Sequence, residues 1–536
     1  MSSETYVSHE AGVLKRDIDW KGAFWVAIGV PALVLFSMGG ISATVGAPAW
    51  LVWTISVLFG FIQAFTYAEI AGLFPSKSGG ASVYGATAWV RYSKLLAPVS
   101  LWCNWLAWTP VLAIGCGLGA GYLLSIFFAP DAAINTWQVT LIPLDFLKDD
   151  LSIRVNATFF IGAAMLLAVF AMQHHGILRT ARIQTVLAVG ALMPLLVVSV
   201  VPLLTGDVSL SNFSPFTPLA LDDAGNVIAG SWDLGGWTLF MGGLFIAAWS
   251  AYAFETAICY TSEFKNPGRD TPRAILYSGL LCIAVYVVVP VAFQGVLGTE
   301  GMLEPGIASG AGVGEALAGM VGGGAVVTNV LVVMLVFTLL LAVMTSMAGS
   351  SRTLYQGGVD GWLPKYLDHV NPHGAPTRAM WTDLTFNLIL LLMSDYLFVL
   401  AVSNVNYLIF NFLNLNAGWI HRIDNKHVPR PWRAPNFLLG AGVVLAFVNA
   451  FLLGAGANVW GPGTLATGFV SAALVIPVFA VRHYITDKGK FPDHMWADLL
   501  PAGETELGPR KAGVLPYVTL AAGVAVVFTA YAIFWL

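Results

Sequence analysis

The sequence predicts an all-α integral membrane protein with about 12–13 transmembrane helices. Of its 536 residues, 57% are hydrophobic and only 10% are charged, whereas about a quarter of the residues in a water-soluble chain are charged. Many separate runs of about 18 or more nearly uncharged residues are each long enough to cross about 30 Å of hydrocarbon. Two of these runs are interrupted within their length.

The apolar runs divide into thirteen spans, of which the ninth and tenth are separated only by residues 393–395. The spans cover residues 23–44, 48–73, 98–128, 154–172, 183–204, 236–260, 273–298, 323–350, 379–393, 396–420, 436–455, 463–481 and 513–535. The polar N-terminus lacks a cleavage site, so we expect the first span to be retained rather than removed as a signal peptide. Before the last span, residues 491–496 predict a surface helix.

Positive charge is distributed unevenly among the connections between the spans. All of the 25 Lys and Arg residues except Lys148 and Arg154 lie in the N-terminal segment or in even-numbered connections. Cytoplasmic connections of membrane proteins carry an excess of these residues. The sequence therefore predicts a multi-pass protein of the plasma (inner) membrane with a cytoplasmic N-terminus.

The first and sixth spans are interrupted at equivalent positions, five spans apart. The first interruption is Gly29-Val30-Pro31-Ala32-Leu33, where the proline removes a backbone donor and clashes with the preceding turn. The second, at residues 250–253, contains neither Gly nor Pro. Two such interruptions predict an inverted repeat with a binding site near the middle of the membrane.

This repeat sets the expected domain boundaries. A cytoplasmic segment would occupy residues 1–22, the first repeat residues 23–210 with helices 1–5, and the second repeat residues 211–422 with helices 6–10. Residues 423–536 would form helices 11–13.

Several motifs resemble those of amino acid–polyamine–organocation (APC) permeases. The segment Trp249–Glu255 and the charged loop Glu263–Arg273 resemble the sixth helix of that family and the loop after it. Tyr67–Tyr84 resembles the end of the second helix, and Arg352–Pro364 resembles the loop after the eighth. Pro376 stands where the family has a proline before the ninth helix. The motifs occur in the family's order over residues 20–435.

The resemblance implies a five-plus-five inverted-repeat core of the leucine-transporter type, with helices 1 and 6 broken. It implies a secondary transporter, a symporter or antiporter, that carries an amino acid or closely related small amine by alternating access. The first break departs from the Gly-rich turn usual in members that bind an α-carboxylate, because Pro31 has no N–H group. A polyamine or organic-amine permease therefore stays an alternative, as does a nutrient sensor of the same fold that does not transport.

The expected substrate-binding residues lie at the two breaks and on the third span, where polar and aromatic side chains interrupt an apolar run. They are Gly29, Val30, Pro31, Ala32, Leu33, Asn104, Trp108, Trp249, Ser250, Ala251, Tyr252 and Phe254. An ammonium group over an aromatic face gains about 0.5–2 kcal/mol, which gives the aromatic residues a recognition role. Structural roles are the alternative, since an asparagine in a membrane helix also bonds neighbouring helices.

Four further residues are expected in structural or coupling roles. Glu255 is a carboxylate inside an apolar span, where it costs several kcal/mol unless it faces a cavity or a partner. Glu69 is expected to anchor a loop or an inner gate. The adjacent hydroxyls of Thr345 and Ser346 resemble the Na⁺ ligands of sodium-coupled relatives, and both H⁺ and Na⁺ stay open as coupling ions.

The remaining polar residues predict no other chemistry. The sequence contains no nucleophile–base arrangement and no phosphate-binding loop, so neither an enzyme nor ATP-driven transport is favoured. His174 and His175 form a pair at a membrane edge, and the four cysteines lie in apolar runs. We expect no cofactor, no metal centre and no nucleic-acid partner, leaving the lipid bilayer and a small-molecule substrate as partners.

Overall fold

A computed structural model describes residue 16 and residues 18–129, 131–175, 177–221, 227–308, 310–500 and 507–536. Most of the predicted segment 1–22 lies outside these residues. Within them, ten helices are long and apolar enough to cross a membrane, and the helices Ala157–Gln173, Ile177–Thr205 and Thr377–Leu390 follow the other three predicted spans. The all-α prediction is confirmed, because apart from two small strand pairs the regular structure is helical.

Thirteen helical segments follow the predicted spans and are numbered here as helices 1–13. They are Trp20–Val45, Ala49–Ala71, Leu96–Phe127, Ala157–Gln173, Ile177–Thr205, Leu234–Glu263, Pro267–Met302, Gly324–Val359, Thr377–Leu390, Tyr396–Asp424, Asn436–Trp460, Thr464–Thr486 and Leu515–Trp535. Shorter helices lie in the connections, at Ala81–Trp89, Ala133–Thr136, Leu210–Phe213, Pro305–Ala308, Val313–Gly319, Lys365–Asp368 and Asp493–Leu499.

The connections fall on two faces of the helix bundle. On one face, which we call the basic face, Ile18 pairs with Phe264, and Lys77 forms a 2.7 Å ion pair with Asp360. These contacts join the N-terminal segment and the connections after helices 2, 6 and 8. The even-numbered connections therefore meet on one side, as their charge predicts.

The opposite face carries the odd-numbered connections and the two strand pairs. The antiparallel strands β1 (Gln138–Pro143) and β2 (Ser152–Asn156) follow helix 3, and β3 (Leu219–Leu221) and β4 (Val227–Ala229) precede helix 6. Lys148, one of the two basic residues outside the expected pattern, pairs here with Asp395.

Residues 491–500, which follow helix 12, pack into the basic face. The predicted surface helix there is a short helix, Asp493–Leu499, in which Met495 is fully buried rather than exposed. The Met495 carbonyl accepts a hydrogen bond of 2.5 Å from the Lys77 ammonium group, and its sulfur lies 3.1 Å from the Trp362 indole nitrogen. This segment consequently contacts the connection after helix 2 and the connection after helix 8 at once.

Candidate substrate site at the two helix breaks

Helix 1 consists of two α-helical segments joined by a seven-residue segment of 3₁₀ helix. The α-helix Trp20–Val26 gives way to 3₁₀ helix over Ala27–Leu33, and α-helix resumes at Val34–Val45. Pro31 lies inside the 3₁₀ segment, as expected from its missing N–H group and its steric clash with an α-helical turn. The break predicted at residues 29–33 is therefore present and begins two residues earlier.

The helix 1 break packs tightly against helix 8. A Cβ atom at Gly29 would lie 2.3 Å from the Leu341 carbonyl oxygen, so only glycine permits this approach. The Thr345 hydroxyl accepts a hydrogen bond of 3.2 Å from the Gly29 N–H and donates one of 2.6 Å to the Val26 carbonyl. One side chain of helix 8 thus satisfies two backbone groups at this break.

Helix 6 is broken two residues later than its sequence predicts. The α-helix Leu234–Ala251 includes Ser250 and Ala251, and 3₁₀ helix follows at Ala253–Ile258. Helix 2 approaches this point through Gly60, whose added Cβ would lie 2.7 Å from the Ala251 carbonyl oxygen. Since no Gly or Pro marks the position, contacts with neighbouring helices determine where helix 6 ends.

A tyrosine outside the predicted site residues joins the two breaks. The Tyr286 hydroxyl of helix 7 lies 2.6 Å from the Val30 carbonyl oxygen and 3.1 Å from the Ser250 carbonyl oxygen. The Ser250 hydroxyl also donates a 3.0 Å hydrogen bond to the Leu33 carbonyl. The two broken helices are therefore in direct contact and share a single buried hydroxyl.

Predicted aromatic residues surround the breaks. The Trp249 indole N–H lies 2.9 Å from both the Ala107 carbonyl and the Ser403 hydroxyl, which fixes its ring between helices 3 and 10. Trp108 makes an edge contact with Tyr407 of helix 10, with ring centroids 5.6 Å apart. Trp249 belongs to helix 6 itself, and Trp108 reaches the helix 6 break through Tyr407, whose hydroxyl bonds to Glu255.

Two predicted aromatic side chains point to other helices. The Tyr252 hydroxyl donates a 3.3 Å hydrogen bond to Asn449 of helix 11, and its ring centroid lies 6.2 Å from that of Tyr407. Phe254 lies against Phe61 of helix 2, with centroids 6.4 Å apart. Both side chains are buried, and both link the helix 6 break to the surrounding bundle.

The predicted polar residues have partners in neighbouring helices. The Glu255 carboxylate accepts a 3.3 Å hydrogen bond from the Tyr407 hydroxyl. The Asn104 amide oxygen accepts one of 3.2 Å from Thr353, which places its side chain between helices 3 and 8. Tyr407, like Tyr286, carried no sequence signal, because tyrosines are common in this chain and neither lies on a broken helix.

The remaining predicted residues are separated from one another. Glu69 lies at the basic face, where Arg422 at 2.6 Å and Arg430 at 3.3 Å pair with its carboxylate. The Ser346 hydroxyl donates a 2.7 Å hydrogen bond to the Trp108 carbonyl in helix 3, whereas the Thr345 hydroxyl points to helix 1. In this conformation the two adjacent hydroxyls do not converge on one position at the helix 1 break.

Comparison with known proteins identifies the family of the chain. A family model described as amino acid permease matches residues 18–481, which include both broken helices and their partners. The chain belongs to the amino acid permease family, within the APC superfamily. The resemblance seen in the motifs is thereby confirmed.

Named relatives of this permease cover most of its length. The branched-chain amino acid permease BcaP of Bacillus subtilis (strain 168) is 23% identical over 471 residues, 83% of this chain and 89% of that protein. BcaP of Lactococcus lactis subsp. cremoris (strain MG1363) is 22% identical over 422 residues, 76% and 82% of the two chains. The polyamine transporter PUT1 of Oryza sativa subsp. japonica is 23% identical over 421 residues, 77% and 69% respectively.

Proposed function

We propose that this permease is a secondary transporter of a neutral amino acid with an apolar side chain. The substrate would bind between the two breaks, with its charged ends at backbone groups of helices 1 and 6 and its side chain against Trp108 and Trp249. The observation that carries this proposal is the direct contact between two discontinuous helices inside the bundle. Half-helix ends and freed carbonyls are suited to the charges of a small zwitterion.

The charge of the site favours an amino acid over a polyamine. Among the described residues predicted at the breaks, Glu255 is the single carboxylate, and the side chains around it are aromatic or small. A polyamine carries several ammonium groups, each of which requires an acceptor in a region that excludes water. The names of the two bacterial relatives support the same choice.

The carrier would operate in the plasma (inner) membrane by alternating access, with the basic face and N-terminus in the cytoplasm. Its charge distribution supports this orientation. The ends of helices 2 and 8 meet at that face in the Lys77–Asp360 ion pair, which would separate when the site opens to the cytoplasm.

Counterflow of labelled leucine in proteoliposomes tests the proposal directly. A transporter exchanges external label for internal unlabelled leucine, whereas a nutrient sensor that binds without transporting shows no exchange. A thermal-shift screen with amino acids, polyamines and choline-like amines, with and without Na⁺, would then define the preferred substrate class. Binding of leucine without counterflow would support the sensor, and absence of both would contradict the proposed substrate.

Two substitutions test the site itself. Tyr252→Ala and a bulky replacement, Ala251→Trp, are expected to abolish counterflow while protein remains folded in the membrane. Tyr484→Ala removes a tyrosine that is 62% exposed on helix 12 and serves as the matched control. Normal counterflow by both site variants would refute this placement of the substrate.

A further inference from the structure

A second buried carboxylate lies near the proposed site, on helix 9. Asp383 is completely buried, and its Oδ1 atom accepts hydrogen bonds from the Trp105 indole at 2.5 Å and the Thr109 hydroxyl at 3.1 Å. Its Oδ2 atom accepts one of 2.7 Å from the Ser350 hydroxyl. Three neutral donors from helices 3 and 8 therefore converge on a carboxylate inside the bundle.

The groups that touch Asp383 carry no charge. Arg352, two residues beyond Ser350 on helix 8, binds Glu263 and the Ala348 carbonyl instead. In the connection that packs against helix 9, Tyr366 bonds to Thr382.

Other titratable groups on the elements around helix 9 also have separate contacts. His369 contacts Thr377 at the start of helix 9, and His174, which follows helix 4, lies against Phe170 and His373. Cys103 and Cys116 of helix 3 are buried free thiols. Asp383 is consequently held by hydrogen bonds alone.

This environment suits a carboxyl group that gains and loses a proton. Burial in a membrane protein favours the neutral form, whereas donated hydrogen bonds favour the carboxylate. When Oδ2 binds a proton, the new O–H group can donate to the Ser350 oxygen, because a serine hydroxyl can act as donor or acceptor. Both protonation states can therefore be satisfied by the same neighbours.

The same neighbours lead to the proposed substrate site. Ser350 lies one turn along helix 8 from Ser346, whose hydroxyl holds the Trp108 carbonyl. Thr109 follows Trp108 at the point where helix 3 divides into Leu96–Trp108 and Pro110–Phe127. A change in the hydrogen bonds around Asp383 would thus act on the segment that positions Trp108.

We propose that Asp383 is the proton-binding carboxylate that couples H⁺ movement to transport in this permease. The inference rests on the proposed function. One H⁺ binds Asp383 from the outside together with the substrate, and the same H⁺ leaves to the cytoplasm after the site has changed sides. The hydrogen bonds from Trp105 and Thr109 to Asp383 weaken when Asp383 binds the proton and strengthen when the proton leaves. The packing at the junction of helices 3, 8 and 9 therefore depends on whether Asp383 is protonated.

The decisive variant is Asp383→Asn, because asparagine keeps an oxygen acceptor and the side-chain shape but binds no proton. In proteoliposomes with an inward H⁺ gradient, leucine accumulation by this variant is expected to fall about ten-fold or more, to the level without a gradient. Leucine counterflow, which needs no net proton movement, is expected to stay within about three-fold of the wild type. Asp207→Asn, an exposed residue between helices 5 and 6, is the control and should change neither assay.

A purely structural role predicts a different result, in which Asp383→Asn accumulates leucine under a pH gradient as the wild type does. That result would overturn the inference. The inference would also be overturned if the wild type shows leucine counterflow but its leucine accumulation does not respond to a pH gradient. Both results would leave the proposed transport function standing. Failure of wild-type counterflow for every amino acid would instead contradict the proposed function.

Ser350→Ala provides a second measurement if the asparagine variant does not fold. Loss of this donor removes a bond that favours the carboxylate, so the pH at which gradient-driven uptake is half-maximal should rise. Asp383→Glu, which can still bind a proton, should retain part of the accumulation. An unchanged half-maximal pH in Ser350→Ala would count against Asp383 as the proton site.

Discussion

The two helix breaks differ in what causes them. In helix 1, Gly29 and Pro31 lie within the broken segment, so local sequence both weakens the α-helix and permits close packing. In helix 6, the α-helix ends at Ala251 without Gly or Pro, beside Gly60 of helix 2 and the Tyr286 hydroxyl. Two equivalent breaks can thus arise from different sources, one local and one from tertiary contacts.

The close approaches at glycine should have the largest effects. Gly29→Ala places Cβ 2.3 Å from the Leu341 carbonyl, and Gly60→Ala places it 2.7 Å from the Ala251 carbonyl. Such overpacking costs about 1–3 kcal/mol or more, so we expect lower thermal stability and loss of leucine counterflow in both variants. Gly121→Ala, whose Cβ meets nothing within 4 Å, is the control for helix propensity. Equal melting temperatures and transport in all three variants would contradict tight packing at the breaks.

Tyr286→Phe tests whether the breaks depend on their shared hydroxyl. The change leaves two buried carbonyls without this donor, a loss of about 1–3 kcal/mol, so we expect roughly ten-fold weaker leucine binding by scintillation proximity. Tyr396→Phe is the matched control, since the Tyr396 hydroxyl has no hydrogen-bond partner among the described residues. If both phenylalanine variants bind leucine equally well, the two breaks do not depend on this bridge.

Thr345→Val tests the contact between helices 1 and 8, because it removes the hydroxyl that contacts Gly29 and Val26 while keeping the side-chain volume. We expect about 1–2 kcal/mol lower stability and slower uptake, measured by thermal melting and by initial rates. Ser346→Ala, which loses a bond to helix 3 alone, should have a smaller effect on helix 1. Cross-linking rates of single cysteines placed near Gly29 would compare the effects of the two variants on helix 1. Identical rates in both variants would contradict the larger effect expected for Thr345→Val.

Pro31→Ala should have the smallest effect of these substitutions. Alanine removes the local cause of the break, but Thr345 and Tyr286 still hold its backbone groups. We expect leucine uptake within about three-fold of the wild type, since the break then depends on contacts as the helix 6 break does. Complete loss of uptake with normal folding would show instead that proline alone maintains the helix 1 break.

Sequence patterns predicted the features that depend on composition and local residues. Apolar runs located the helices, positive charge located one face, and Pro31 located the first break. The exact end of helix 6 and the role of Tyr286 could not be predicted, because both depend on which helices lie side by side. Asp383 was different: a carboxylate inside the predicted ninth span was itself a visible signal.

The contacts of the pair His174 and His175 likewise depend on which segments lie side by side. His373, from the connection after helix 8, lies with its ring centroid 5.2 Å from that of His175 and 6.2 Å from that of His174. Asn371 holds this connection in place by bonding to the His174 carbonyl and the His373 N–H. Within the described part of the chain, no group of three or more His, Cys, Asp or Glu side chains is placed to hold a metal ion. A long-range loop contact of this kind leaves no trace in a single sequence.

The buried Met495 affects how fast the ends of helices 2 and 8 can separate. Separation of the ends of helices 2 and 8 at the basic face would strip the Lys77 ammonium group of both Asp360 and the Met495 carbonyl. The segment Asp493–Leu499 would therefore raise the activation barrier for that movement without contacting the substrate site. Weakening the contact of this segment with Lys77 should accelerate turnover, so the segment would limit the rate of the transport cycle.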